Sequence, residues 1–296
     1  MFFAKQLCAA LERSLCADAM GGWIHSVFDR AVNIMTAGGI ITILPAEKGL
    51  YPWSCTVEID VPFTCLGLKP QMQACISRTG VQVIEAGFTI DINSAIVKNL
   101  DVFEGVSYKP PAQSCLPVLK ALLLAEGNLD GMLPLALDTP DNPFSAMIRP
   151  RLTALHDAFN ALDYEKAASA ATAIAGLGIG LTPSSDDMLL GYVCAYYPLA
   201  KAKGINREEA LALGKSACCA AAEKTNDISG NFLLRCGDGL ISQCISDVLN
   251  VLFSSASSDR IKKPVTRILG IGSASGSDIL CGIVLSMQIH GGACFG

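Results

Sequence analysis

Short apolar runs separated by turn residues dominate the first third of the chain. Residues 27–36 and 40–44 are mostly apolar and flank Ala37-Gly38-Gly39, which predicts a β-hairpin. Further short runs occupy residues 53–59, 80–85 and 87–92. Runs of this length and spacing are typical of a small β-barrel or sandwich.

The rest of the chain is rich in Ala and Leu and has helical spacing. Its character changes after Lys109-Pro110-Pro111, and residues 138–143 form a second strong helix breaker. The pattern predicts helices at residues 115–125, 144–162, 164–175, 186–203, 207–223, 229–237, 241–253 and 277–290. Gly176 directly follows the third of these, where glycine commonly ends a helix.

These patterns predict an α+β protein. A β-rich N-terminal domain, residues 1–110, precedes a mainly helical domain, residues 111–296, and residue 140 is the alternative boundary. Of the 296 residues, 51% are hydrophobic and 17% charged, which favours a well-buried globular protein. We expect part of this apolar surface to be buried against another subunit, either a second copy or a different chain.

Charge and apolar length exclude several classes of protein. The net charge is −5 and no basic stripe occurs, so no nucleic-acid partner is expected. The longest apolar runs, residues 188–200 and 279–289, are shorter than the roughly 20 residues that span a bilayer. The N-terminus lacks the pattern of a secretory signal. We therefore expect a cytoplasmic protein without a membrane partner.

The chain contains 13 cysteines, an odd number, and no Cys-x-x-Cys pair. Cys218 and Cys219 are adjacent, which suits neither a zinc site nor a disulfide framework. We interpret the cysteines as small buried residues in a reducing compartment.

One sequence element occurs twice in the helical part. Residues 177–191 read LGIGLTPSSDDMLLG, and residues 269–282 read LGIGSASGSDILCG. A single gap at Pro183 aligns the two, with Leu-Gly-Ile-Gly and the later Ser-x-x-Asp-x-Leu-x-Gly shared. Gly191 and Gly282 end the two copies, where a small residue permits close helix packing.

Helix capping explains part of this repeat. Ser184 with Asp187, and Ser275 with Asp278, have the spacing of a capping box. Capping does not explain why a Gly-x-Gly loop precedes each of the two caps. Glycines at positive φ allow successive N–H groups to point into one concavity, and a helix N-terminus adds positive charge.

The repeat therefore predicts a site for a small anion such as a phosphate or a carboxylate. The two loops most simply build one shared pocket. The predicted binding residues are Gly178, Gly180, Thr182, Ser184, Gly270, Gly272, Ser273, Ser275 and Gly276, with Asn33 as a weaker candidate. The predicted catalytic residues are Asp186, Asp187 and Asp278, whose carboxylates suit amide N–H groups.

Other chemistries have weaker signals. No Gly-Lys-Ser/Thr occurs, and the first loop follows a predicted helix, so neither a P-loop nor a Rossmann fingerprint is present. Asp186 and Asp187 are candidate magnesium ligands, with first-turn acids as the simpler interpretation. His156 is expected to be a surface or structural residue, and His290 a cation that complements a helix C-terminus. Arg235 is a weak site candidate.

These motifs resemble the family of the smaller subunit of oxamate carbamoyltransferase from anaerobic allantoin breakdown, a branch of purine degradation. The family was long described only as a domain of unknown function. Its first motif usually reads Gly-x-Gly-Leu-Thr-Pro-Ser-x-Asp-Asp, and its second approximately Leu-Gly-His-Thr-Ser-Gly-x-Asp. Residues 31–36 and 225–233 also match, so the resemblance spans most of the chain.

The resemblance implies phosphorolysis of oxalurate to oxamate and carbamoyl phosphate, or the reverse, in a complex with other subunits. One of those subunits is similar to acyl-CoA synthetases. Ser273 and Ala274 stand where the family often has His-Thr, which leaves a second hypothesis open. In it, the chain is a non-catalytic subunit that binds an anionic metabolite or organises the complex.

Overall fold

The computed structural model describes residues 1–16, 18–104, 115–137, 139–254 and 258–291. The chain divides into two compact units, Met1–Leu100 and Asp101–Gly296. The predicted boundary at Lys109-Pro110-Pro111 lies outside the described residues, and residue 140 lies inside the second unit.

The N-terminal unit is a small barrel. Its strands are β1 (Phe2–Cys8), β2 (Met20–Phe28), β3 (Ala31–Thr36), β4 (Gly39–Pro45), β5 (Ser54–Val57), β6 (Gln73–Ser77), β7 (Gly80–Val83), β8 (Phe88–Asp91) and β9 (Ile96–Lys98), with helix α1 (Ala9–Ser14) after β1. Eight strands follow the order β5-β4-β3-β2-β6-β7-β8-β1, and the antiparallel pairing of β1 with β5 closes the barrel. β9 pairs in parallel with β1, beyond the part of β1 that pairs with β8.

Of the two architectures predicted, a barrel and a sandwich, the structure has the barrel, and the predicted hairpin is confirmed as β3 and β4. One predicted run was too long, because a turn at Asp29-Arg30 separates residues 27–28, the end of β2, from β3. The sequence pattern missed β1, the rest of β2, β6 and β9. Their apolar residues are interrupted by polar ones, and pairing within the closed barrel stabilises them.

The C-terminal unit is helical. It comprises α2 (Cys115–Glu126), α3 (Pro143–Ala161), α4 (Tyr164–Ile174), α5 (Ser184–Ala202), α6 (Arg207–Ala222), α7 (Asp227–Gly237), α8 (Gln243–Leu252), α9 (Lys262–Leu269) and α10 (Ser275–His290). All eight predicted helices are confirmed, and Gly176 follows α4 at φ +74° as expected. The sequence pattern missed α9, which is short and contains Pro264 in its first turn, where proline is tolerated.

Helices α5 and α10 pack against each other through the glycines that end the two repeats. A Cβ at Gly191 would lie 1.9 Å from the carbonyl oxygen of Ile279, and one at Gly282 would lie 1.9 Å from that of Met188. Met188 and Ile279 occupy the same position in the aligned repeats. The contact is therefore reciprocal, and the predicted role of both glycines in close helix packing is confirmed.

The histidine at the end of α10 is not a surface cation. His290 is 1% exposed and bonds to the Tyr192 hydroxyl (2.6 Å) and Asn160 Oδ1 (2.9 Å). Burial, with smaller contributions from Lys203 and His156, lowers the pKa of His290 to about 3. The expectation of a charge that complements the helix dipole is therefore wrong, because the ring is neutral. His156 is structural, since its Nδ1 bonds to the same tyrosine hydroxyl (2.9 Å).

The described cysteines are free thiols, and most are buried, as expected. Within the described ranges, no helix has both the length and the apolar content that crossing a membrane requires.

Candidate functional site

Both Gly-rich segments form loops between helices. Loop 1, residues 177–183, leads into α5, and loop 2, residues 270–274, leads into α10. Gly178, Gly180 and Gly272 have φ values of +119°, +102° and +59°, which favour glycine. Gly270 has φ −76°, an ordinary value, so the predicted glycine geometry holds at three of the four positions.

The predicted capping boxes do not form. Pro183 and Ala274 are the N-cap residues of α5 and α10, and neither position has a side-chain cap. Each helix begins at the serine itself, so Ser184 and Ser275 lie one position too late to act as caps. Their hydroxyls are thereby available for other contacts.

The two loops meet at a hydroxyl pair. Thr182 Oγ1 in loop 1 lies 3.0 Å from Ser275 Oγ at the start of α10, and it donates a hydrogen bond to Asp187 Oδ2 (2.7 Å). Gly272 packs against the Ser275 hydroxyl, as Gly178 packs against Ser184. The structure thus brings loop 1, loop 2 and one of the predicted acids together.

The second acid is enclosed by a segment that precedes the repeats. Asp278 is fully buried, and its Oδ1 accepts a hydrogen bond from the Met132 amide (2.6 Å). A Cβ at Gly131 would lie 2.1 Å from the same oxygen, so only glycine allows this approach. Ser184 faces the carboxylate and lowers its pKa. Neither Ser184 Oγ nor Asp278 Oδ2 has a hydrogen bond of normal geometry to any described residue.

Each serine therefore contacts the acid of the opposite copy. Ser275 of the second copy lowers the pKa of Asp187 in the first, and Ser184 of the first lowers that of Asp278 in the second. This cross-over follows from the reciprocal packing of α5 and α10, which places each helix start beside the first turn of the other.

Both acids hold protons more tightly than an ordinary aspartate. The pKa of Asp187 is raised to about 8, mainly by burial; the hydroxyls of Thr182 and Ser275 oppose this shift, and the neighbouring charges of Asp278 and Asp186 add to it. Burial raises the pKa of Asp278 to about 6, and the Met132 amide limits the shift. Near neutral pH the pair therefore holds about one proton, with Asp187 as the main carrier.

Asp186 differs from this pair. Its Oδ1 accepts a hydrogen bond from the Gly176 amide (2.7 Å), and its Oδ2 accepts one from the Thr225 hydroxyl. Burial raises its pKa, and these bonds oppose the shift. Both oxygens thus hold the turn after α4 to the segment before α7, and Asp186 is better explained as a structural residue than as a catalytic one.

Three further predicted residues have other contacts. Gly276 packs on the end of α9, where a Cβ would lie 2.0 Å from the Ile268 carbonyl oxygen. Ser273 is exposed in loop 2. Asn33 lies in the N-terminal unit, where its buried side chain donates to Ser26 Oγ (3.0 Å) and accepts from Thr42 Oγ1 (2.9 Å).

Sequence reasoning missed two asparagines. Asn226 Nδ2 donates to the Leu181 carbonyl of loop 1 (2.8 Å), and Asn128 Nδ2 donates to the Ser273 carbonyl of loop 2 (3.0 Å). Asn226 lies in a stretch that resembles the family, and as a residue before a predicted helix it could have been identified. Asn128 lies far from either repeat in sequence, and only its turn-like surroundings mark it.

No group of three or more His, Cys, Asp or Glu side chains suited to a metal ion occurs among the described residues. Magnesium at Asp186 and Asp187 stays a prediction, and these two carboxylates have separate hydrogen-bond partners.

The arrangement supplies groups for anion binding and proton transfer. The N-termini of two long helices converge, and each contributes positive partial charge. Beside them lie a protonated carboxyl, a carboxyl that titrates near neutral pH and three hydroxyl groups. Such a set can orient a small anion and move a proton to or from it.

Comparison with protein families gives two matches. The family model described as oxamate carbamoyltransferase subunit AllH matches residues 174–287, which include both loops and both acids. The model described as the AllH family N-terminal domain matches residues 3–98, the barrel. Searches of curated proteins and of solved structures gave no match.

The two matches together cover most of the chain, and they confirm the family that the sequence motifs indicated. Membership implies a complex of more than one subunit. The chain belongs to the AllH family, and is thus of the kind described as a subunit of oxamate carbamoyltransferase.

Proposed function

We propose that this chain contributes catalytic groups to the transfer of a carbamoyl group between oxamate and phosphate. In one direction oxalurate and hydrogen phosphate give oxamate and carbamoyl phosphate. A phosphate oxygen forms a bond to the ureido carbonyl carbon, and the bond from that carbon to the oxamate nitrogen breaks. The proton of hydrogen phosphate is lost and one proton is gained by the oxamate nitrogen, so the reaction is balanced in protons.

The pair Asp187 and Asp278 is the observation that carries this proposal. Their raised pKa values, about 8 and about 6, keep one carboxyl protonated and the other mostly ionised at neutral pH. Asp278 is assigned to accept the phosphate proton, relayed by the facing Ser184 hydroxyl. Asp187 is assigned to donate to the leaving oxamate nitrogen. The reverse reaction uses the same groups in opposite protonation states.

Anion binding is assigned to the loops. The glycines at positive φ leave the backbone of loops 1 and 2 open to close approach, and Gly180, Gly272 and Ser273 are exposed. The helix starts at Ser184 and Ser275 add positive partial charge for phosphate or carboxylate oxygens. Orientation of two small anions and stabilisation of the charge that develops between them are what this transfer requires.

The test is phosphate-dependent cleavage of oxalurate by the complex co-purified with the products of neighbouring genes, and by the chain alone. Asp187→Asn and Asp278→Asn should each lower kcat at least about 100-fold, the usual contribution of a general acid or base. Asp186→Asn is the matched control and should mainly lower stability. Full activity in both Asp187→Asn and Asp278→Asn complexes would eliminate the catalytic assignment.

A second candidate function is anion binding without catalysis. Two features favour it: Ser273 and Ala274 stand where the family often has His-Thr, and Asp278 is fully buried beneath the segment at Gly131 and Met132. Carbamoyl phosphate should then raise the stability of the purified chain, by about 2.7 kcal/mol at 100 times its dissociation constant. Stabilisation together with unchanged kcat in the aspartate variants selects this function.

We also expect a partner subunit, or a second copy of this chain, to cover part of the exposed apolar surface. Ile179 and Leu181 in loop 1 have 47% and 54% of their surface exposed. Light scattering of the chain alone and of the complex distinguishes the two. A monomer at all concentrations, with no mass added by the neighbouring gene products, would contradict this expectation.

A further inference from the structure

Each Gly-rich loop is held by one asparagine. Asn226 Nδ2 donates to the Leu181 carbonyl (2.8 Å), while its Oδ1 accepts from the amides of Ile228 and Ser229 at the start of α7 (3.1 and 3.0 Å). One side chain therefore fixes the end of loop 1 to a helix start.

Asn128 makes the corresponding contact with loop 2. Its Nδ2 donates to the Ser273 carbonyl (3.0 Å), and its Oδ1 accepts from the Asp130 amide (2.8 Å). Leu181 and Ser273 occupy the same position in the aligned repeats. Leu181 lies six residues before Asp187 and Ser273 lies five before Asp278, because Pro183 has no counterpart in the second copy. The two asparagines thus bond to corresponding carbonyl groups.

The neighbouring contacts also correspond. Thr225, which precedes Asn226, donates to Asp186, and the Asn128 amide donates to Ser277 Oγ (2.9 Å). Asp186 and Ser277 are aligned positions of the repeats. Each asparagine also follows a helix that packs against the two helices flanking its loop, α6 for Asn226 and α2 for Asn128.

The order along the chain hides this correspondence. Asn226 follows loop 1, whereas Asn128 precedes loop 2 by more than a hundred residues, and the surrounding sequences share little beyond the asparagine. The corresponding contacts therefore occur in a different order along the chain in the two copies, which a search for tandem repeats does not detect.

We propose that Asn128 and Asn226 are equivalent positioning residues, each setting one loop of a site built from two half-sites; this rests on the function proposed above. Ser184 and Asp278, which are both buried and face each other, lie where the half-sites meet. The asparagines hold the loops that frame this point.

Substitution by aspartate removes the donor and keeps the acceptor, and it adds one negative charge, which the matched control adds as well. Asn226→Asp and Asn128→Asp keep the Oδ1 acceptor that each turn needs and remove the Nδ2 donor to the loop carbonyl. The matched control is Asn206→Asp at the start of α6, where Nδ2 donates to Glu209 Oε2 (2.7 Å) and Oδ1 accepts from the Glu209 amide (2.8 Å), away from both loops.

The first measurement is amide hydrogen exchange of the full chain. Asn226→Asp should speed exchange about tenfold in residues 177–183 only, and Asn128→Asp should do so in residues 270–274 only. Asn206→Asp should change neither loop. Unchanged exchange in the first two variants, or equal loosening of both loops in either one, overturns the inference.

The second measurement is steady-state kinetics of the reconstituted complex. Asn128→Asp and Asn226→Asp should raise the KM for phosphate or for oxalurate about tenfold, with a smaller change in kcat, because they displace binding groups and leave the acids in place. Lowered kcat at unchanged KM, or an equal effect of Asn206→Asp, counts against the inference. If the wild-type complex does not cleave oxalurate, the proposed function fails, and the exchange measurement alone decides whether the asparagines set the loops.

Discussion

The two copies of the Gly-rich element share a sequence pattern, and they differ in the pKa values of their aspartates. Both place an aspartate in the first turn of a long helix, and both end on a glycine that contacts the other helix. Asp187 is bonded to hydroxyl groups and has a pKa of about 8, whereas Asp278 is bonded to a backbone amide and has a pKa of about 6. Duplication has thus produced two acids with separate protonation states.

The difference arises outside the repeats. The Met132 amide comes from a segment before α3, and a hydrogen bond from it favours the ionised form of Asp278. Thr182 has no counterpart at the aligned Ala274, so Asp187 has a second neighbouring hydroxyl that Asp278 lacks. Similar sequence therefore fixes where an acid lies, and the neighbouring segments decide how readily it ionises.

The largest expected effect tests the helix contact that both copies share. Gly191→Ala and Gly282→Ala should each destabilise the protein by about 3 kcal/mol or more, because the new methyl group meets a backbone carbonyl of the facing helix. Equal losses, measured by chemical denaturation, would support the reciprocal packing. Gly21→Ala, with nothing within 4 Å of the added Cβ, is the control and should change stability little.

The second prediction concerns the difference between the acids. The activity of the complex should be highest between about pH 6 and pH 8, where Asp278 is ionised and Asp187 protonated, and should fall up to tenfold per pH unit on either side. The measurement is kcat against pH. A profile that is flat from pH 5 to pH 9 would contradict the assignment of these roles.

The third prediction uses stability instead of activity. Because the folded state binds the Asp187 proton more tightly than the unfolded chain, wild-type stability should fall as pH rises from about 4 to about 8. Asp187→Asn should remove this contribution, at most about 1.4 kcal/mol per pH unit. Chemical denaturation of both proteins at pH 5 and pH 9 measures this contribution. The stability of the variant relative to wild type should be higher at pH 9 than at pH 5.

Asp278→Asn provides the comparison for that experiment. The loss of wild-type stability that Asp278 causes with rising pH should be complete near pH 6. The stability that Asp278→Asn gains relative to wild type should therefore reach its full size at a lower pH than the gain of Asp187→Asn. Identical pH dependence in both variants would remove the distinction between the two acids.

The smallest expected pKa shifts test which acid each serine contacts. Removing Ser275 should raise the pKa of Asp187 and move the alkaline limb of the activity profile to higher pH. Removing Ser184 should raise the pKa of Asp278 and move the acidic limb to higher pH, and it should also lower kcat because it removes the proposed proton relay. Ser184→Ala and Ser275→Ala should each change stability by no more than about 1 kcal/mol. If Ser184→Ala moved the alkaline limb instead, each serine would act within its own copy.

Local pattern predicted much of the architecture. Helical periodicity predicted eight helices that the structure confirms, and apolar runs with turns predicted the hairpin and a small barrel or sandwich, because these signals depend on residues close together in sequence. It missed α9 and several strands, in which the apolar pattern is short and partners distant in sequence decide the structure.

The sequence by itself determined the Gly-rich loops, the helices that follow them, the close packing at Gly191 and Gly282, and the family. The tertiary structure alone decided that the serines face the opposite acids, that Asp186 bonds to the Gly176 amide and the Thr225 hydroxyl, and that Asn128 bonds to loop 2. Spacing along a chain specifies backbone conformation, which is local. Hydrogen-bond partners and pKa values depend on which distant segments the fold brings together and on how deeply it buries them.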